Sequence, residues 1–439
     1  MPRRHVVARL PPALYWAIAA AGVLSTIHWV NRLGTPAIYA DDLAQDYLLS
    51  RALLERQDPY ALTGPELAAR YLPASEPYVI RHVSLHPPAA ALVCLPLALL
   101  PYRSARGVWL GLEVAALLLC VNFLPVGEAR HPLNSRWTLS VMLFAWPPVA
   151  MDLQYGQWSI LLATLLVMAW LSYRARRMRL AGGLLGVTIA VKVFPLLVLL
   201  FFLLKRSWRV VGWALGTAIA LTVIPALLAG PASITRYVFS GTRTTAGWLA
   251  CFANYSIPGA VARFFTTAGA YGGVPALFSA PALVMPAVAL VAVAVLGFTA
   301  RSIVQEEDPD RAFADALCGL VLLTPLVWQH YLVVLLWPLW LVGRTLHLAE
   351  WPRPKSDAFS LALLLLTIPQ QALSWLAVAA SDVWPPAGAL ILLAFPAGPA
   401  ILLALLRVGL PEPTRSRAAG PGAGAPRIGG TIRGAASLY

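Results

Sequence analysis

The sequence predicts an all-α, polytopic membrane protein, and three observations carry that prediction. Of 439 residues, 59% are hydrophobic and 12% charged, against about 45–50% and about 25% in soluble domains; mean hydropathy is +0.70. Apolar windows of about 20 residues, the length that crosses a hydrocarbon core, recur down the chain. Short basic runs separate them, at 174–179, 205–209, 344–355 and 407–417, as the positive-inside rule expects of cytoplasmic loops. The net charge of +14 is thereby explained without a nucleic-acid partner. Residues 1–410 are expected to form a single transmembrane domain.

Charge sets the direction of each element in turn. An N-terminus carrying Arg3, Arg4 and Arg9 is placed inside, so the apolar segment 12–30 runs outward as a retained anchor and delivers a long polar loop to the outer face. Residues 88–100 are apolar but only about 13 long, too short to span; counted as a crossing, they would also put the basic run 174–179 outside. They are expected to lie along or dip into the outer interface, leaving Arg103 and Arg106 external. Segments 108–124, 137–151 and 158–172 then run inward, outward and inward. The stretch 180–204 has basic flanks on both sides, so either one helix or two half-helices meeting near Lys192-Val193-Phe194-Pro195 fits; Pro breaks a helix, and broken helices are tolerated where they line a cavity. The second option puts Lys192 at an outward apex.

Segment 210–228 goes outward, the polar stretch 230–273 stays outside, and 281–299 returns inward. Segments 314–324, 331–342, 358–376 and 387–406 complete roughly twelve passages. Residues 411–439, rich in Gly, Ala, Pro and Arg, lack apolar periodicity and are expected to be a disordered cytoplasmic tail. Cys94, Cys120, Cys251 and Cys318 show no ligand spacing and read as structural thiols.

This topology gathers polar groups at one face. Asp41, Asp42 and Asp46 fall within six positions of a chain holding 19 acidic residues, and Gln157, Lys192, Arg236, Arg243, Asn254 and His330 emerge on the same side. Ionisable groups at such depths are rare and usually functional. Plainer roles stand beside that one: Asp41 and Asp42 suit the N-cap of a helix starting near Leu43, Asp58-Pro59-Tyr60 and Gly156-Gln157 suit turns, and Lys192 suits a snorkelling cation. Asp46, inside the helix, fits none of these. A transporter or lipid flippase is the main rival class, yet no internal repeat is visible and the ionisable groups avoid the midplane. A surface-polysaccharide polymerase is a second rival.

At these residues the chain resembles glycosyltransferase family 87. The resemblance runs from Asp46-Tyr47-Leu48 and Asp58-Pro59-Tyr60 through His86-Pro87-Pro88, Gly156-Gln157 and Ala181-Gly182-Gly183 to Lys192 and Pro195, then Asn254-Tyr255-Ser256 and Pro325 to His330. The chain departs from the family pattern at Trp158, where Asn is common after Gly-Gln, and at Tyr255. The resemblance implies the C-type glycosyltransferase fold and transfer of a sugar, mannose by family membership, from a polyprenyl-phosphate donor to a glycolipid or glycan hydroxyl. It further implies inversion, a site on the outer face of the cytoplasmic membrane, and a catalytic carboxylate in the first external loop, which maps to Asp46. A hydroxyl is a poor nucleophile, so a positioned carboxylate taking its proton contributes about 10²–10⁴-fold. A leaving lipid phosphate wants preorganised cations, for which Lys192 comes first, then Arg236, Arg243 and Arg263, with His330, Gln157, Asn254 and Asp42 as further substrate contacts. Asp41, Asp42 and Asp46 carry oxygen ligands suited to a divalent ion, but a lipid monophosphate lacks the diphosphate that metals commonly bridge, so no cofactor is expected.

Overall fold

The computed structural model describes residues 42–73, 84–124, 143–267, 273–348 and 353–408, and among these every regular element is helical. The anchor 12–30, Asp41 and the tail 411–439 lie outside the described residues. The first part of the chain builds a short-helix layer: α1 (Leu43–Leu54), α2 (Gly64–Tyr71) and α3 (Pro88–Val93). Helix α2 starts at a capping box, in which the Glu66 carboxylate accepts the Thr63 N–H (2.6 Å) and hydroxyl (2.8 Å); these bonds hold the Glu66 carboxyl below its usual range. Helix α3 has six residues and gives way to a 3-10 turn at Leu97–Leu99, so 88–100 contains no helix of spanning length.

Longer helices come next: α4 (Tyr102–Phe123), α5 (Pro147–Tyr155), α6 (Ser159–Arg174), α7 (Met178–Val191), α8 (Val198–Leu204), α9 (Trp208–Ala229), α10 (Ala232–Trp248) and α11 (Ile257–Phe265). The C-terminal part holds α12 (Val284–Gln305), α13 (Pro309–Leu323), α14 (Leu336–Leu348), α15 (Arg353–Thr367), α16 (Gln370–Val383), α17 (Ala387–Ile391) and α18 (Ala394–Arg407).

Among the described residues fewer long apolar helices are seen than the roughly twelve passages expected of the whole chain. Four described stretches are long and apolar enough to cross a membrane: Tyr102–Phe123, Trp208–Ala229, Pro281–Gln305 and Ala387–Arg407. The count reaches six if two bent pairs each make one span. Backbone breakers interrupt several of the expected segments. Segment 358–376, expected as one crossing, is cut where Ile368 precedes Pro369, and α15 and α16 meet at a bend of 89°. Helices α5 and α6 meet at 115° across Gly156. The stretch 180–204 is the broken pair, α7 ending at Val191 before a 3-10 turn at Phe194–Leu197 that contains Pro195. The long helices expose large apolar residues, among them Leu283, Met285, Leu290 and Val293 at the start of the Pro281–Gln305 span and Ile219 and Leu227 on α9, a surface suited to lipid. The chain is a multi-pass membrane protein.

Two packing devices hold the frame of the bundle. Helices α7 and α9 approach so closely that a Cβ on Gly182 would come within 2.6 Å of the Val210 carbonyl oxygen, and one on Gly186 within 2.5 Å of that of Ala214. This is the small-xxx-small contact by which apolar helices associate where the hydrophobic effect cannot drive them. Deeper in the bundle the Trp170 ring stacks on Phe313 at 4.6 Å and meets Phe201 and Trp337 edge-on, fixing α6 against α8, α13 and α14.

Candidate active site

Asp46 sits on α1, and α1 is tied to residues 91–100 by three side chains spaced along one face. Tyr47 donates to the Leu100 carbonyl (2.8 Å), Ser50 to that of Ala91 (2.8 Å) and Arg51 to that of Ala98 (3.0 Å). These bonds satisfy main-chain groups of a segment too short and bent to pair its own. They also bury the Asp46 carboxylate, which has no exposure.

Each oxygen of that carboxylate has a side-chain partner. Oδ1 lies 2.7 Å from Nδ1 of His86, and Oδ2 accepts the indole N–H of Trp158 at 2.8 Å. His86 comes from the extended residues ahead of α3, held there by Pro87 and by the Tyr60 hydroxyl, which donates to its carbonyl at 2.6 Å. Burial pushes the Tyr60 phenol well above its ordinary value, so it stays a donor. Trp158 is placed by the sharp turn between α5 and α6. Gly156 is left-handed there (φ +63°), and a Cβ would stand 2.8 Å from that of Leu43, so glycine suits both the backbone and the space.

The same turn delivers Gln157. Its amide NH₂ donates to Oδ2 of Asp42, and its amide oxygen accepts from Nζ of Lys192 at 2.7 Å. Gln157 thus bridges a carboxylate and an ammonium. Lys192 is 5% exposed, sits just past the end of α7, and its Nζ lies 3.4 Å from the Tyr331 hydroxyl and 4.6 Å from the Tyr331 ring centroid. His330 packs edge-on against Tyr331, is buried within electrostatic reach of Lys192 and His86, and neither of its ring nitrogens has a hydrogen-bond partner among the described residues. Buried polar atoms are rarely left so. Asp46, Asp42, Gln157, Lys192 and His330 therefore form one connected site.

The other expected contacts fall elsewhere. Asp42 occupies the N-cap position of α1 but makes no cap bond to the helix backbone; its side chain takes Gln45 (2.9 Å) and Gln157 instead. Arg236, on α10, pairs with Asp58, and beside them the Tyr60 and Tyr237 rings meet at 5.5 Å. Arg243, on the same helix, is exposed and reaches no partner among the described residues. Asn254 is a scaffold. Its amide donates to the Leu249 and Pro325 carbonyls and accepts from the Ser256 and Val327 amides, filling all four of its positions. Arg263 is wholly buried and donates to the carbonyls of Cys251, Asn254 and Leu392, so it too serves the loops. Asp152, equally buried, spends its oxygens on the amides of Ser159 and Ile160 at the start of α6, a helix-capping role. Among the described residues no group of three or more metal-ligating side chains comes together.

Sequence reasoning did not single out His86, Trp158, Tyr60 or Tyr331. The signals present were the His86-Pro87-Pro88 run and the departure at Trp158 from the family's usual Asn.

The chemistry open to this arrangement comes from its two halves. One half pairs a buried carboxylate with an imidazole, a unit that accepts a proton; the other offers a buried ammonium, suited to a phosphate.

The chain is similar to known proteins over much of its length. The family model of glycosyltransferase family 87 matches residues 85–328, more than half of the chain; Asp46 precedes the matched stretch and His330 lies beyond it. Two relatives share the name polyprenol-phosphate-mannose-dependent alpha-(1-2)-phosphatidylinositol pentamannoside mannosyltransferase. The one from Mycobacterium tuberculosis is 27% identical over 64% of this chain and 63% of its own length. The one from Mycolicibacterium smegmatis is 28% identical over 70% of this chain and 73% of its own. The chain thus spans less than two thirds of the tuberculosis protein's length. No solved structure matches it.

Proposed function

Because the chain belongs to glycosyltransferase family 87, we propose that it is a membrane mannosyltransferase moving mannose from a polyprenyl-phosphate donor to a hydroxyl of a glycolipid or glycan. The observation that carries this reading is the buried Asp46–His86 pair linked, through Trp158 and Gln157, to the buried Lys192. The names of the two relatives support the donor and a glycolipid acceptor. Transfer proceeds with inversion: the acceptor hydroxyl attacks the anomeric carbon from the face opposite the phosphate, and the Asp46–His86 pair draws off its proton. Lys192, oriented by Gln157, stabilises the charge that grows on the departing lipid phosphate. His330, with both nitrogens unpartnered among the described residues, binds sugar hydroxyls or phosphate. The site faces the outside of the cytoplasmic membrane, both termini lie inside, and 88–100 rests along the outer interface.

The test is direct. Purified protein is incubated with radiolabelled polyprenyl-phosphate mannose and membrane lipid extract; labelled glycolipid is expected, and its absence with mannose and every other lipid-linked sugar tried would favour a transporter. Since the donor is a monophosphate, activity is expected to survive exhaustive chelation. Loss restored only by a divalent ion would overturn the metal-free mechanism.

A further inference from the structure

Resting on that reading, we propose that Nε2 of His86 is the atom that takes the acceptor's proton, and that Asp46 is a positioning residue acting through it. The Asp46 carboxylate has no exposure, and both its oxygens are engaged at 2.7 and 2.8 Å. A hydroxyl attacking a sugar would have to displace His86 or Trp158 to reach it. An ionised carboxylate accepts only, so the proton between the two residues belongs to Nδ1 of His86, which leaves the lone pair on Nε2. That nitrogen makes no hydrogen bond among the described residues, and of the pair the imidazole is the open member, its side chain 10% exposed against 0% for Asp46. The Tyr60 bond to the His86 carbonyl, with Pro87 behind it, fixes the backbone from which the ring projects. A base held in one tautomer by a buried carboxylate is the general design of an activated hydroxyl.

Atoms and electrons balance in this step. The acceptor O–H bond breaks and its proton passes to Nε2, while the oxygen's electron pair forms the bond to the anomeric carbon. The bond from that carbon to the donor phosphate oxygen breaks, and its pair departs on the phosphate, near Lys192. The imidazolium, stabilised by Asp46, then yields its proton to water. The charged and titratable groups around this histidine are Asp46 on α1, against its Nδ1, Tyr60 in the loop after α1, whose hydroxyl meets its carbonyl, and His330 ahead of α14, within electrostatic reach and itself within reach of Lys192.

The experiment is azole rescue of His86→Gly in the purified, full-length protein with polyprenyl-phosphate mannose as donor. Turnover is expected to fall about 10²–10⁴-fold with donor KM little changed. Added imidazoles should restore part of it, at rates that rise with the basicity of the azole. His86→Gln, which keeps the bulk and a donor toward Asp46, should unfold at the wild-type temperature and remain slow. A His86→Gln enzyme with wild-type kcat, or a rescue indifferent to azole basicity, overturns the role of His86 while leaving the functional reading intact. A wild type that transfers no lipid-linked sugar overturns both.

Discussion

Asp46 and Asp310 each accept an indole N–H from the same stretch of chain, Asp46 from Trp158 just ahead of α6 and Asp310 from Trp170 inside it (2.9 Å). The two tryptophans are about 18 Å apart along a helical rise, and their carboxylates live in opposite kinds of network. The second partner of Asp310 is Arg174 at 2.8 Å, a cation that keeps its proton in proteins, and its carbonyl takes the Trp337 indole. Both of these partners of Asp310, an indole and a guanidinium, only donate. The second partner of Asp46 is His86, whose imidazole has one nitrogen that can donate a proton and one that can accept it. Similar local chemistry therefore builds a clamp at one end of α6 and a reactive pair at the other, and the difference is set by the partner: a guanidinium that only donates, or an imidazole that can also accept.

Substitutions break or sharpen that contrast. The largest effect is expected from Asp46→Asn, which keeps the volume but loses the charge that fixes the imidazole; turnover should drop about 10³–10⁴-fold, read from labelled glycolipid formed per folded molecule. Lys192→Gln comes next. Charge-assisted bonds are worth about 1.5–3 kcal/mol, so kcat/KM for the lipid-phosphate donor should fall roughly 10–100-fold, and a variant with unchanged donor kinetics would place the phosphate elsewhere. Asp310→Ala is expected to act on stability instead. It strands the buried Trp170 indole at a cost of about 1–3 kcal/mol, visible as a lower unfolding temperature in detergent with turnover per folded molecule preserved. If Asp310→Ala silenced catalysis in a folded protein, the clamp assignment would fail. The smallest effect belongs to Arg236→Ala, whose guanidinium is half-exposed in its pair with Asp58; such pairs contribute about 0–1 kcal/mol, and both stability and kinetics should stay near wild type.

Much of the site was legible because its residues are anomalies in an apolar chain. A carboxylate inside a helix at Asp46 and a lysine within the apolar run at Lys192 violate the composition around them, and both lie in the connected site. Gln157 was legible from its turn. His86 was not, because its meaning depends on Asp46, 40 residues away, and no periodicity links the two. Trp158 stood out only as a departure from the family pattern and Tyr331 not at all, because their roles depend on partners distant in the chain. Asn254 and Arg263 show the other side: buried polar residues suggest ligands, but loops that wander inside a membrane protein leave main-chain groups unpaired, and these two side chains satisfy such groups. The bends were illegible for a related reason, since hydropathy adds up apolar residues without registering how sharply the chain turns near Pro369 or Gly156.

The sequence by itself determined the solvent, the helical class and the residues too costly to bury without purpose, because these depend on composition and on the desolvation of charge. Only the tertiary structure decided which carboxylate meets a histidine and which an arginine. That choice depends on the 115° bend between α5 and α6 and on the close approach of Gly156 to Leu43, and such geometry arises from packing between segments far apart in the chain.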